Sequence, residues 1–566
     1  MPADPRLKVV LCWHMHQPHY LDRESGQYQL PWTYLHAIKD YVDMVAFIET
    51  NPAARAVVNF VPTLLEQIDD YAAQVRDYLN EGRPIGDPLL AALVSPAQPA
   101  GEEHRLWLIK SCLKANEHRL INRFPHFLNL VALARCIGDY PHTISYISSQ
   151  YLVDLLVWYH LAWIGETVRR NDGRVQQLMN KGSGYTQQDR RELLTIIGEL
   201  LSGVIERYRR LAERGQIELS LTPYAHPIAP LLLDLESTHD ALPDAPLPAH
   251  KHYPGGEESL RWHIEKGLAV FERHFGFRPI GVWPAEGGVS SAALQLFAEA
   301  GFGWSASGEA VLRHTLVREN MAQPQCLHVP YRVDGSDLTL FFRDDGLSDL
   351  IGFTYADWQA DDAVNNLVHH LENIAKACAS DANRVVSIIM DGENAWEYYP
   401  ENGYYFLTAL YRKLANHPAL ELTTFKQVVN AGGEPLVLPT LVAGSWVYGN
   451  FSTWIGSGDK NRAWDLLCEA KLAFDAAVRS ERLSGEKLAR ARRQLAICEG
   501  SDWFWWFGDY NPAESVRDFD RLYRLQLAYL YKMIGADVPD ALSQIISHGG
   551  GAPEAGGVMR RGSESG

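Results

Sequence analysis

Nowhere in this 566-residue chain do apolar residues run for the ~20 positions a membrane-crossing helix needs, so a membrane-embedded role is not expected. Cysteine is also scarce. Cys12, Cys112, Cys136, Cys326, Cys378, Cys468 and Cys498 make seven, an odd number with no paired spacing, which excludes a disulfide framework and leaves reduced, mostly buried thiols. Clusters of positive charge are missing as well. With a net charge of −17 and no basic run, nonspecific binding to nucleic acid or anionic lipid is disfavoured. No glycine-rich anion loop is visible, which argues against phosphate chemistry. The opening MPADPRLKVVLCWHMHQP holds one short apolar piece that passes straight into polar residues without a cleavable-signal pattern, so a cytoplasmic location is expected. There is no internal repeat.

What the chain does have is length and rings. At ~150 residues per domain, 566 residues suggest three or four domains, or one α/β barrel with insertions taking most of the chain. Sixteen Trp and 26 Tyr suit a large core, and equally a protein that stacks on the apolar faces of sugars. Short apolar runs at 8–13, 55–61, 216–221, 279–283, 302–305, 338–342 and 385–390 read as buried strands, mostly separated by helical spacing. That pattern predicts an α/β fold, a parallel barrel with one unit missing or modified, over residues 1–430. A mainly helical insertion is expected at about 63–215. Residues 235–259, rich in Pro, His and Asp, are too long for a simple connector and are expected to form a lid or substrate rim. Beyond about 431 the strand pattern fades into amphipathic helices, a C-terminal α-helical bundle over 431–545, and 546–566 read as a disordered tail.

The chemistry gathers where strands end. In 385–400, VVSIIMDGENAWEYYP, an apolar strand runs abruptly into Asp391, Glu393 and a cluster of rings. This is either an ordinary Asp-Gly turn under covering aromatics or the edge of an active site, since ligands of barrels sit at the carboxyl ends of strands. Other strand ends carry His14 and His16, Glu218 with His226 beyond it, and Glu286. Two carboxylates from different strands facing one cleft are what glycosidic cleavage needs, one to attack or activate water and one to protonate the leaving oxygen. The His14–His16 pair also raises a divalent-metal reading with Glu218, His226 or Asp391 as a third ligand, although sugar-hydroxyl binding suits the aromatic setting better. Glu218, inside an apolar strand, reads as supporting rather than catalytic. Arg343, Asp344 and Asp345 read as an ion-paired strand end. Two ring-rich loops, GSWVYGNFSTWIG at 444–456 and GSDWFWWFGDY at 500–510, present Trp446, Trp454, Trp503, Trp505 and Trp506 either as a sugar shelf or as a seal between bundle and barrel.

Five segments, in order along the chain, resemble glycoside hydrolase family 57: HMHQP (14–18), GQIELSLTPYAHPIAPLL (215–232), GVWPAEGGVS (281–290), IMDGENAWEYY (389–399) and GSWVYGNFSTWIGSGDKNRAW (444–464). The resemblance implies an incomplete (β/α)7 barrel whose cleft is completed by a helical C-terminal domain. It also implies a retaining mechanism on α-glucans that requires no metal or cofactor. Matching positions make Glu286 the nucleophile and Asp391 the general acid/base, with His14, His16, Glu218, His226, Trp283 and Trp396 contacting or supporting the substrate. Asp391 is then expected to have a raised pKa while Glu286 is charged, with Glu393 adding to the rise. The DGENAWEYY form is similar to amylopullulanase-like and amylase-like members, pointing to starch, glycogen or pullulan fragments. A 4-α-glucanotransferase using the same residues, a metal-dependent glycan hydrolase or deacetylase using His14 and His16, and a glycan-binding protein with a dead cleft are the alternatives.

Overall fold

The computed structural model describes residues 6–94, 101–321, 327–378 and 383–551. Its centre is the first barrel strand, Leu7–Met15, an almost wholly buried run that lies parallel to two neighbours, Ala56–Phe60 on one side and Val385–Asp391 on the other. Apolar residues on both faces leave such a strand no wet side, which is why it sits inside a parallel sheet covered by helices. Parallel pairing continues from Ala56–Phe60 through Ile217–Leu221, Gly281–Val282 and Trp304–Gly308 to Thr339–Arg343. A bridge between Arg343 and Ser387 returns the last of these to Val385–Asp391, closing a ring of seven parallel strands. The closed barrel and its mostly helical C-terminal region are those the sequence predicts. The interior is filled by Val10, Cys12, Val57, Trp283, Trp304, Ala306, Phe341, Val385, Ile389 and Phe425, a packed core rather than a channel.

Between the second and third barrel strands lies the helical insertion. Its first helix, Pro62–Glu81, begins with proline at its first turn, where the missing N–H costs nothing, and packs against the long helix Gln187–Glu213. Three short strands of the main sheet escaped the sequence reading. Leu420–Thr423 adds to the first barrel strand, and Tyr331–Val333 and Leu436–Leu438 extend the sheet beside Thr339–Arg343. Each is only three or four residues long, too short for an alternation to stand out.

The segment 235–259 is not a lid. Its backbone is tied to the C-terminal helices: Asp465 accepts from the N–H groups of Ala249 and His250, and Asn461 donates to the Pro246 carbonyl at 3.0 Å. Tyr253 and Ser259 donate to Glu499, which also meets His263 at 2.7 Å, a fully buried acid satisfied by three partners and held below the usual carboxylate range despite its burial. The segment therefore straps the barrel to the helices Gly458–Arg479 and Gly485–Cys498. Part of the expected tail is also packed, since Ile546 is buried and Ser547 accepts from Gly508 N–H at 3.0 Å; positions 552–566 lie outside the described residues. Cys12, Cys112, Cys468 and Cys498 are buried free thiols, Cys378 is half-buried and Cys136 is exposed; Cys326 lies outside the described residues. Among the described residues, no helix is long and apolar enough to cross a membrane.

Candidate active site

In-register pairing of Leu7–Met15 with Val385–Asp391 sets His14 opposite Asp391 at the carboxyl ends of adjacent strands. Above them opens a cavity of about 640 Å³ whose walls include His14, His16, His226, Glu286 and Asp391 from the barrel and Trp446 and Asp502 from the C-terminal region. The residues that the sequence scattered over more than 480 positions thus converge on one space.

Glu286 stands just beyond Gly281–Val282 in an uncommon conformation. Its φ of 57° and ψ of 23° lie in the left-handed region, which a residue bearing a Cβ adopts only where surrounding contacts hold it. Trp446 supplies two of those contacts, its backbone N–H donating to the Glu286 carbonyl at 3.0 Å and its indole N–H donating to Oε2 at 3.0 Å. Burial pushes the Glu286 carboxyl up to about 8, the charge of Asp391 pushes the same way, and the indole donor opposes both. Asp391, the last residue of its strand, is also raised by burial, opposed by the Asn394 side chain at 2.9 Å and by the nearby positive charges of His16 and Arg343. Both carboxylates are thus buried and raised, and the charge of Asp391 adds to the rise at Glu286. Glu393 adds a third acid, raised well above its usual range by burial and then by Asp391; one oxygen accepts from His16 N–H and Gln17, and its other oxygen has no partner among the described residues.

The histidines form a connected row. His14 Nδ1 lies 2.7 Å from Asn59 Oδ1, its Nε2 lies 3.1 Å from His226 Nε2, and His226 Nδ1 lies 2.7 Å from Ser501 Oγ. Burial, and then the charge of His16, drive His14 down to about 3, so it stays neutral in the cleft. His226 is likewise lowered by burial and adopts the left-handed region at φ 60°. His16 stacks on His226 with ring centroids 3.8 Å apart and pairs through Nε2 with Asp502 Oδ1 at 2.7 Å. Among the described residues, His16, His226 and Asp502 form a group whose ligand atoms lie near enough to hold an ion, all within 4.8 Å of one another. Their geometry fits one poorly: the two rings are stacked 18° from parallel, whereas an imidazole donates its lone pair in the ring plane.

Several expected contacts lie elsewhere. Glu218 faces the barrel interior, where it accepts from Trp304 Nε1 and from Lys426 N–H, both at 2.7 Å; burial raises it to about 7, and it does not border the cleft. Trp283, Trp396, Trp454 and Trp503 are each at most 1% exposed and stand behind the wall of the cleft, not on its surface. Trp396 donates to the Gly392 carbonyl at 2.9 Å and packs on Trp13 and Tyr399, while Trp503 donates to the Ile497 carbonyl at 2.9 Å. A large ring with this much apolar area is buried wherever neighbours allow it, which is why ring-rich sequence overstates the sugar-facing set. The tryptophans that do border the cleft, among the described residues, are Trp32, Trp163, Trp446, Trp505 and Trp506. Sequence reasoning also missed Asp502, an acid hidden among rings, and the position of Arg343. That arginine pairs with Asp345 and Asp349 as a strand-end ion pair should, yet it also borders the cleft and lies 5.6 Å from the Trp446 ring.

Comparison with known proteins agrees with this geometry. The family model described as "Glycosyl hydrolase family 57" matches residues 10–439. Among solved structures, a GH57 branching enzyme from Thermococcus kodakaraensis superposes with a TM-score of 0.58 at 14% identity, covering 99% of this chain and 97% of that one. The alpha-amylase AmyC from Thermotoga maritima gives 0.55 at 14% identity, with 94% and 97% covered. A 4-alpha-glucanotransferase from Thermococcus litoralis gives 0.52 at 14% identity, with 93% of this chain and 60% of that one covered.

Proposed function

The chain belongs to glycosyl hydrolase family 57, and from that premise we propose that it is a retaining enzyme acting on α-1,4-glucans of the starch or glycogen type, with Glu286 as nucleophile and Asp391 as general acid/base. One observation carries the reading: two buried carboxylates from separate strand ends face one cleft, and the charge of Asp391 raises the pKa of Glu286. In the productive state Glu286 is ionised and Asp391 is protonated. Glu286 Oε attacks the anomeric carbon as the glycosidic bond breaks, and Asp391 passes its proton to the departing oxygen. Esterification removes the charge of Glu286, which lowers the pKa of Asp391 and leaves it as the carboxylate that serves as base in the second step. It then takes a proton from the incoming hydroxyl, which attacks from the same face and leaves the configuration unchanged. Trp446 keeps one Glu286 oxygen engaged, which favours the carboxylate form.

Water as the second hydroxyl gives hydrolysis, and a sugar hydroxyl gives glucan transfer. Both use the same residues, and the names of the similar solved structures include an amylase, a branching enzyme and a glucanotransferase. We favour hydrolysis of α-1,4 bonds, with α-1,6 cleavage as an extension and transfer as the alternative, on the likeness of DGENAWEYY to amylopullulanase-like and amylase-like sequences. The metal-dependent reading has the His16, His226 and Asp502 cluster in its favour and the stacked rings against it. Incubation with maltoheptaose and with pullulan separates these. Shorter maltooligosaccharides alone mean hydrolysis, products longer than maltoheptaose mean transfer, and maltotriose from pullulan means α-1,6 cleavage. Absence of any product from glucans contradicts the proposal.

A further inference from the structure

The cleft does not end above the barrel. A second cavity of about 330 Å³ adjoins it, and Trp32, Lys114, Glu514 and Asp518 are walls of both. At the junction Lys114 Nζ lies 3.1 Å from Glu514 and 3.3 Å from Asp518, joining the helical insertion to the helix Ala513–Met533. These side chains are partly exposed, and pairs of that kind hold weakly in water, so they do not bar passage from one space to the other.

The far cavity has the surface chemistry of a neutral polyol site. Trp107 borders it at 38% exposure, braced by the His104 ring stacked at 5.4 Å, an arrangement that leaves a large indole at the surface with no fold-level reason to be there. Beside it Lys110 and Arg521 are exposed, and their side chains make no hydrogen bond or ion pair with the described residues. Asp87, Glu514 and Asp518 border the same cavity, so the wall carries both signs and does not select for an anion. An aromatic face for the C–H side of a ring, together with unengaged donors for hydroxyls, is what a glucose unit requires.

We propose that this second cavity is a remote subsite of the glucan cleft, holding the chain several units away from the bond that is broken, with Trp107 stacked on a glucose ring and Arg521 bonded to its hydroxyls. The inference rests on the α-glucan reading above and deepens it: the enzyme selects long chains over short ones.

The test is the ratio of kcat/KM on long amylose to kcat/KM on maltotetraose, measured for the wild type, Trp107→Ala, Trp107→Tyr and Arg521→Ala. The account expects the ratio to fall about tenfold in W107A, the size of one lost stacking contact, and to recover in W107Y, which keeps a ring. R521A, a change at an exposed residue that leaves the fold intact, is expected to lower the ratio about two- to threefold. A ratio unchanged in W107A and R521A overturns the subsite while leaving the glucan activity standing. If W107A does not fold, R521A decides alone. A wild type that turns over neither substrate overturns the underlying reading instead.

Discussion

The indole N–H of Trp446 donates to Oε2 of Glu286 at 3.0 Å, tying a loop of the C-terminal region to the carboxylate at the end of the fourth barrel strand. The same residue's backbone N–H holds the Glu286 carbonyl, so one tryptophan fixes both the conformation and the charge of the proposed nucleophile. Gly308 makes room for it, since a Cβ there would meet the Trp446 Cα at 2.6 Å.

Trp446→Phe keeps the ring and the backbone contact but removes the side-chain donor. Because that hydrogen bond lowers the Glu286 pKa, its loss raises it, leaving less carboxylate at neutral pH. The expected result is a drop in kcat/KM of roughly 10- to 100-fold and a shift of the pH profile to higher pH. Steady-state kinetics across pH checks both.

Asp502→Asn is expected to move the profile the other way. The Asp502 charge raises the Glu286 pKa, so neutralising it lowers that pKa and shifts the profile toward acid. The same change weakens the partner of His16, and KM for maltoheptaose is expected to rise several-fold. Opposite shifts in W446F and D502N on one set of axes are the signature of a shared target.

The acid pair also makes stability depend on pH. Glu286 titrates near 8 in the fold but near ~4.3 when unfolded, so between those values the folded state holds a proton that the unfolded state has lost. Stability contributed by this group is full below the lower value and is lost as pH rises through the window. Glu286→Gln avoids that loss. Its melting temperature should exceed that of wild type by several degrees at about pH 8 and match it at about pH 4. Calorimetry at the two pH values checks it.

The mechanism proposed for the carboxylate pair requires no ion. Dialysis against a strong chelator is therefore expected to leave kcat on maltoheptaose unchanged, whereas stoichiometric loss of zinc together with activity would favour the His16, His226 and Asp502 reading.

The barrel was legible because its strands are short apolar runs ended by charge, as at Val385–Asp391, and burial on both faces erases any alternation that might confuse the reading. Five spaced motifs led to the family, which carried the candidate pair Glu286 and Asp391. The sugar-facing rings were not legible. Trp446 and Trp454 sit in one loop of similar composition, yet one borders the cleft and the other is wholly buried, a difference set by packing between distant segments. Asp502 went unread for the same reason: its role exists only because His16, far away in the sequence, meets it at 2.7 Å. The strap at 235–259 shows the limit of composition. Proline and histidine mark a loop, but only the carboxylates of Asp465 and Glu499 determine where it lies.

The central claim is that Glu286 forms a covalent glycosyl ester. Reaction with a 5-fluoro-α-maltooligosyl fluoride, followed by proteolysis and mass spectrometry, tests it most directly. The account predicts one fluoroglycosyl group per chain, on the peptide that carries Glu286, and none in E286Q. Label on Asp391 instead, or turnover to product of inverted configuration with no labelled peptide, would contradict it.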